Sequence, residues 1–207
     1  MNPSKIDIDR NISKLRVNSA EFLNLDKANL ISMLEQTVDN IKTISYYWAS
    51  LSSEKKGHLT KSKEGEEWIG GPFSCIYALQ YFIEYLQNDN GLDISKFDEK
   101  TKSYKVFPTK NIEKLLFPFL EGEIRFGKNL NFNQINEYRG FANRFNNNKP
   151  KITLILGAGN VSSIPVLDAL FHMIAHKSVI YIKLNPVMII YYQSLHKYSN
   201  LLYLEAS

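Results

Sequence analysis

The chain has 207 residues, of which 44% are hydrophobic, 13% aromatic and 22% charged. That composition is globular and excludes disordered, collagen-like and coiled-coil chains. The 25 basic and 21 acidic residues leave a net charge of +4 but are interspersed, without the Lys/Arg run that a nucleic-acid groove needs. The single cysteine, Cys75, excludes an intrachain disulfide and a cysteine zinc cluster and points to a reducing cytoplasm.

Met1 to Arg10 alternates charge with Ile and has no apolar core of the kind a secretory signal carries. The longest apolar runs, such as Val187 to Tyr192, are far too short to span a membrane. Cytoplasmic residence with no membrane partner is therefore expected. Leu30, Leu34, Ile41, Ile44, Trp48 and Leu51 recur at three- and four-residue steps, which predicts an amphipathic helix from Asp26, its N-cap, to about residue 54. Ser52 to Glu67 reads as a charged, solvated loop. Gly70-Gly71-Pro72 then opens a second helix running to about Gln87, with Ile76, Leu79, Phe82, Ile83 and Leu86 on its inner stripe. Asn88-Asp89-Asn90-Gly91 closes that helix with turn chemistry. Tyr104 to Phe107 and Glu123 to Phe126 read as short strands, and the apolar run Ile112 to Phe119 as a helix. Asn146 to Pro150 is the best linker in the sequence.

Beyond that linker the sequence changes in kind. Ile152 to Leu156 is a continuous β-rich apolar run, as a strand buried on both faces of a parallel sheet would be. Gly157-Ala158-Gly159-Asn160 turns the chain. Pro165 to about His176 reads as a helix with Val166, Leu167, Leu170, Phe171 and Ile174 inward, and Val179 to Leu184 as a second buried strand. The result is a βαβ unit. Val187 to Tyr198 continues as a helix, and Leu201 to Leu204 begins a third strand.

The glycine turn is the most informative candidate site. Gly157 and Gly159 allow a ligand close to the backbone, and a helix N terminus directly after the turn favours a phosphate or dinucleotide. As a dinucleotide fingerprint the turn is incomplete: the third glycine and the acidic residue after the next strand are both missing. The pattern alone reads equally as a nucleotide site or as a structural βα turn. Asn160 at its tip could donate to an oxyanion or simply cap the helix. Lys183 ends a strand where ligands of open α/β sheets bind, a place equally common for a solvated Lys. Cys75 lies in an apolar helix start and reads as a buried, inert thiol. Among His58, His172, His176 and His196 only one pair is spaced four apart on a helix, and no metal site is expected.

Ile155-Leu156-Gly157-Ala158-Gly159-Asn160 with Ser163-Ile164-Pro165, then Ile182-Lys183-Leu184-Asn185-Pro186, resembles the nucleotide-binding part of the aldehyde dehydrogenase superfamily. The resemblance is greatest to an atypical bacterial branch related to acyl-CoA reductases. The separation of 23 between Asn160 and Lys183 matches the spacing this superfamily uses between its oxyanion asparagine and its cofactor lysine. Glu67-Trp68-Ile69-Gly70-Gly71-Pro72 and Val106-Phe107-Pro108 are similar to landmarks of that branch. The resemblance covers about residues 60 to 205. It implies NAD or NADP as cofactor and a small aldehyde or acyl thioester as substrate, with a cysteine thiolate attacking the carbonyl. By resemblance, Asn160 is the oxyanion donor, Lys183 the cofactor-ribose ligand, and Gly157, Ala158 and Gly159 line the nicotinamide side. Two positions depart from the family: its Trp before the Asn is Gly159 here, and its acidic residue three after the Lys is Pro186.

The resulting expectation is an α/β protein in two regions. Residues 1–148 form a mainly helical amino-terminal region with short strands, and 149–207 a truncated Rossmann-like parallel βαβ unit. The family's catalytic domain, with its cysteine and glutamate, is read as absent. Two functions remain open: a truncated aldehyde dehydrogenase-like protein, inactive alone, or a non-catalytic module that binds a nucleotide or pairs with a partner. An incomplete parallel sheet leaves apolar edge and face uncovered, so oligomerisation or poor solubility through the sheet is also expected.

Overall fold

Nine side chains of one long helix are buried, Leu34, Val38, Ile41, Ile44, Ser45, Trp48, Ala49, Ser52 and Ser53, and their three- and four-residue steps define the stripe that organises the core. This helix, α2 (Lys27–Lys55), starts where the Asp26 carboxylate accepts the Asn29 amide at 2.8 Å. A helix α1 (Lys5–Leu23) precedes it. The computed structural model describes residues 5–57, 60–87, 92–138, 149–186 and 188. The chain divides into two compact units, Met1–Gln87 with Ala142–Ser207, and Asn88–Phe141.

In the larger unit, α2 is followed by α3 (Lys61–Trp68), a π-helical turn (Ile69–Phe73) and α4 (Ser74–Gln87). Gly71 leaves helical geometry (φ −130°, ψ −111°), so the chain changes direction before α4. The rest of this unit comprises strand β4 (Ile152–Leu156), helix α7 (Ile164–His176) and strand β5 (Val179–Lys183). The two strands pair in parallel, Ile152 opposite Val179 through Leu156 opposite Lys183. Helix α7 packs on this pair and on α4, and α1 lies along β5. One cluster joins α2, α4, α7, β4 and β5 through Ile41, Trp48, Leu79, Ile155, Leu170 and Ile182.

The smaller unit holds β1 (Phe97–Asp98), β2 (Ser103–Phe107), α5 (Asn111–Leu116), β3 (Gly122–Arg125) and α6 (Phe132–Tyr138). Its sheet is antiparallel in the order β1-β2-β3. Phe97 packs against Phe126 and Phe132, with ring centroids 6.3 and 5.5 Å away. The buried Glu113 carboxylate accepts the amides of Thr109 and Lys110 at 2.5 and 2.9 Å, which fixes the start of α5.

The mixed α/β class, the long helix, both parallel strands and the β2 and β3 strands agree with the sequence reading, and four details differ. The expected loop Ser52–Glu67 contains α3, whose charged surface hides its period because it is held by packing on α2 and by the buried Glu67. Helix α1 lacks a readable apolar stripe because its buried positions include polar Asn11 and Ser19. Strand β4 is not buried on both faces. Helix α1 lies mainly along β5, which leaves Leu154 59% and Leu156 72% exposed. Phe171, expected inward, is 49% exposed, because at about 100° per residue it lies roughly 140° round the helix from Val166. The turn at 88–91, the Asn-rich peak at 146–148, the helix after Val187 and the strand at 201–204 lie outside the described residues.

Helix α7 ends on Lys177 in the left-handed region (φ 49°, ψ 47°), where its amide donates to the His172 carbonyl. A Cβ there is strained and glycine is not. Lys177→Gly is therefore expected to raise stability by about 0.5–1 kcal/mol in urea denaturation. A loss of stability would contradict the strain argument.

Candidate functional site at the carboxyl end of the parallel strands

Strand β4 does not stop cleanly at Leu156. The Gly157 amide donates to the Lys183 carbonyl at 2.8 Å, extending the ladder by one step and fixing the end of β5 beside the glycine turn. A Cβ on Gly157 would meet the Lys183 carbonyl oxygen at 3.3 Å and Pro165 Cγ at 3.4 Å. At Gly159 it would lie 2.7–2.8 Å from the Asn185 carboxamide, closer than any side chain can sit. The turn is therefore closely packed, by the Lys183 carbonyl and Pro165 at Gly157 and by the Asn185 side chain at Gly159. A Trp at position 159 would displace the Asn185 side chain.

The second half of the turn is anchored on the opposite side. Ser162 is fully buried, and its Oγ accepts the indole N–H of Trp48 at 2.9 Å. The Ser163 amide donates to the Gly70 carbonyl at 3.1 Å. Gly71 faces the same spot: a Cβ there would lie 3.1 Å from both Ser162 Oγ and Trp48 Nε1. The Gly70-Gly71-Pro72 stretch, α2 and the βα turn thus form one packed joint.

The joint determines which groups face outward. Asn160 and Lys183 are both exposed. The pairing of Leu156 with Lys183 puts the lysine level with the start of the turn, so Asn160 and Lys183 share the carboxyl end of the strand pair. Ala158 is half-buried between the two glycines. The amides at the start of α7 are largely engaged: Ser163 with Gly70, Ile164 with Val161, and Pro165 has none. The charge and donors at this end therefore come mainly from Lys183 and Asn160. No acidic residue occurs from Lys149 to Leu167 or from Lys177 to Met188. Leu154 and Leu156, opposite Tyr181 and Lys183, add exposed apolar surface on the lysine's side of the sheet.

Cys75 lies elsewhere, fully buried at the start of α4. Burial pushes its thiol up to about 12, so it stays protonated at any physiological pH. His172 and His176 stack on the outer face of α7, centroids 5.2 Å apart, with Phe171 against both. Among the described residues no group of three or more His, Cys, Asp or Glu side chains is placed to hold a metal ion. None of the described helices is long and apolar enough to cross a membrane. Sequence reasoning missed the supporting roles of Ser162 and Asn185. Trp48 was legible only as a core residue, although a buried indole N–H usually has an acceptor. No family model matches the chain, and neither a curated protein nor a solved structure matches it.

Proposed function

We propose that this chain binds a nicotinamide dinucleotide, NAD or NADP, at the carboxyl end of β4 and β5 in the manner of the aldehyde dehydrogenase superfamily. The observation that carries the reading is the placement of Asn160 and Lys183, exposed together at the end of two parallel strands around a close-packed glycine turn. The residues present fit the group. A set with one ammonium, one carboxamide and no carboxylate suits an anionic pyrophosphate and ribose hydroxyls, and exposed Leu156 beside Lys183 offers apolar surface for a ring. Lys183 would hold the ribose or a phosphate, and the turn Gly157-Ala158-Gly159 would back the nicotinamide. When bound, the dinucleotide supplies hydride chemistry, and Asn160 would donate a hydrogen bond to an oxyanion formed beside it.

Covalent catalysis in that family needs a thiolate, and the chain's single cysteine is buried and protonated. The reading is therefore a cofactor-binding chain without thiol turnover of its own. Thermal denaturation tests it. A dinucleotide at 100 times its Kd is expected to add about 2.7 kcal/mol of stability. Lys183→Ala is expected to weaken binding ten- to a hundredfold, the loss of about 1.5–3 kcal/mol for a charged hydrogen bond. Absence of a shift with both NAD+ and NADP+ overturns the proposal, and aldehyde-dependent reduction of NAD+ by the chain alone overturns the non-catalytic part.

A further inference from the structure

The smaller unit carries a feature that the nucleotide reading does not use. Segment Ile112–Leu120 exposes Ile112, Leu115, Leu116, Phe117, Phe119 and Leu120, with Phe119 98% exposed. Together these offer on the order of 700 Å² of apolar surface, given that one aromatic ring alone contributes about 200 Å². One side of a standard protein interface is about 800 Å².

The segment leads directly into β3, which pairs only with β2 among the described residues and so has an open edge. Glu123, Ile124 and Arg125 of this strand are all exposed. Open edges invite strand addition unless they are guarded. The β3 sequence is self-complementary. If a second β3 runs antiparallel about a twofold axis at Ile124, Ile124 faces its own copy and Glu123 stands opposite Arg125 of the second copy. Within the chain Lys105 already stands opposite Glu123, and Ser103 opposite Arg125. Charges then alternate across the joined sheet as Lys105, Glu123 and the second copy's Arg125, each opposite pair favourable. The same register sets the Leu120 end of each strand beside the Phe126–Leu130 end of the other.

We infer that β3 and the Ile112–Leu120 segment form a homodimer interface, in which two copies join their three-stranded sheets edge to edge into one six-stranded sheet. The twofold makes the contact isologous and closed, which a strand with this charge order satisfies and a fibre-forming contact does not. The Arg125 side chain holds the Glu123 carboxyl below the usual carboxylate range, so the pair is ionised at neutral pH.

Sedimentation velocity tests the interface. At about 100 µM, where a micromolar dimer is almost fully assembled, the wild-type chain is expected to be dimeric. Glu123→Arg alone or Arg125→Glu alone puts like charges opposite each other and is expected to weaken the dimer at least tenfold. With Lys105→Gln added, so that the residue opposite position 123 within the chain is neutral, the double exchange E123R/R125E restores the self-complementary order and is expected to restore the dimer, which also shows that the single variants had not merely unfolded. A wild-type monomer at that concentration overturns the inference and leaves the apolar segment to a different protein. A dimer that ignores both single exchanges, or one that the double exchange fails to restore, overturns it as well.

Discussion

Trp48→Ala is expected to cost about 3–5 kcal/mol of stability, the largest loss expected from any one side chain of the larger unit. Trp48 is 2% exposed on the inner stripe of α2, in the cluster that also holds Ile41, Leu79 and Leu170. Truncation removes that packing and opens a cavity beside Gly71, whose backbone approaches the ring closely. It also removes the donor to buried Ser162. Trp48→Phe separates the two effects. It keeps most of the packing but loses the hydrogen bond and part of the ring volume, so about 1 kcal/mol is expected for the bond and a further cavity cost for the missing atoms. Urea denaturation by circular dichroism measures both, and Trp68 remains as a fluorescence reporter. A cost below about 1 kcal/mol for Trp48→Ala would mean that the joint between α2 and the βα turn is not a principal support of the larger unit.

The joint explains why the site is only partly legible in the sequence. Its strands and turn are local features: β-rich apolar runs at 152–156 and 179–183 flank Gly157-Ala158-Gly159-Asn160, and the structure has them in that order. A parallel βαβ arrangement alone brings Asn160 and Lys183 to one end of the sheet. The contacts that hold the turn are not local. Trp48 reaches Ser162 across 114 positions, and no periodicity in either segment encodes that meeting. Asn185 over Gly159 is equally hidden, since an Asn two residues after a strand lysine has no pattern to distinguish it.

Burial is legible where one face decides it and illegible where the number of layers does. The α2 stripe can be read from its steps because a helix has one inner face. Leu154 and Leu156 read as buried because apolar runs in parallel strands normally have helices on both sides. Here α7 covers one face and α1 lies along β5, so the composition of the run says nothing about its outer face. Charge misleads in the opposite sense. The polar stretch at 52–67 looks solvated, yet Glu67 at its end is 3% exposed.

That residue is the subject of the second large effect. Lys56, the C-cap of α2, places its ammonium 2.7 and 2.9 Å from the two Glu67 oxygens, tying α2 to α3. Lys56→Ala removes the ammonium that both oxygens of this buried carboxylate accept from. Breaking a fully buried pair in this way costs about 3–5 kcal/mol. The lysine side chain keeps 23% of its exposure, so a loss of about 2–3 kcal/mol is expected, reduced from that range by residual solvation. Replacing both partners, Lys56→Met with Glu67→Leu, removes the charge and its desolvation together and is expected to stay within about 1 kcal/mol of wild type. The contrast between single and double replacement, read by urea denaturation at low and high salt, identifies the pair as buried: salt screens an exposed pair and leaves this one nearly unchanged. A small loss for Lys56→Ala that shrinks further at high salt would instead place the carboxylate in water. Glu67 opens the stretch Glu67 to Pro72, whose two glycines seat Val161, Ser162 and Ser163. Its role there is structural, because a carboxylate bound to Lys56 through both oxygens holds α3 in place and, through α3, the π-helical turn on which the glycine turn rests.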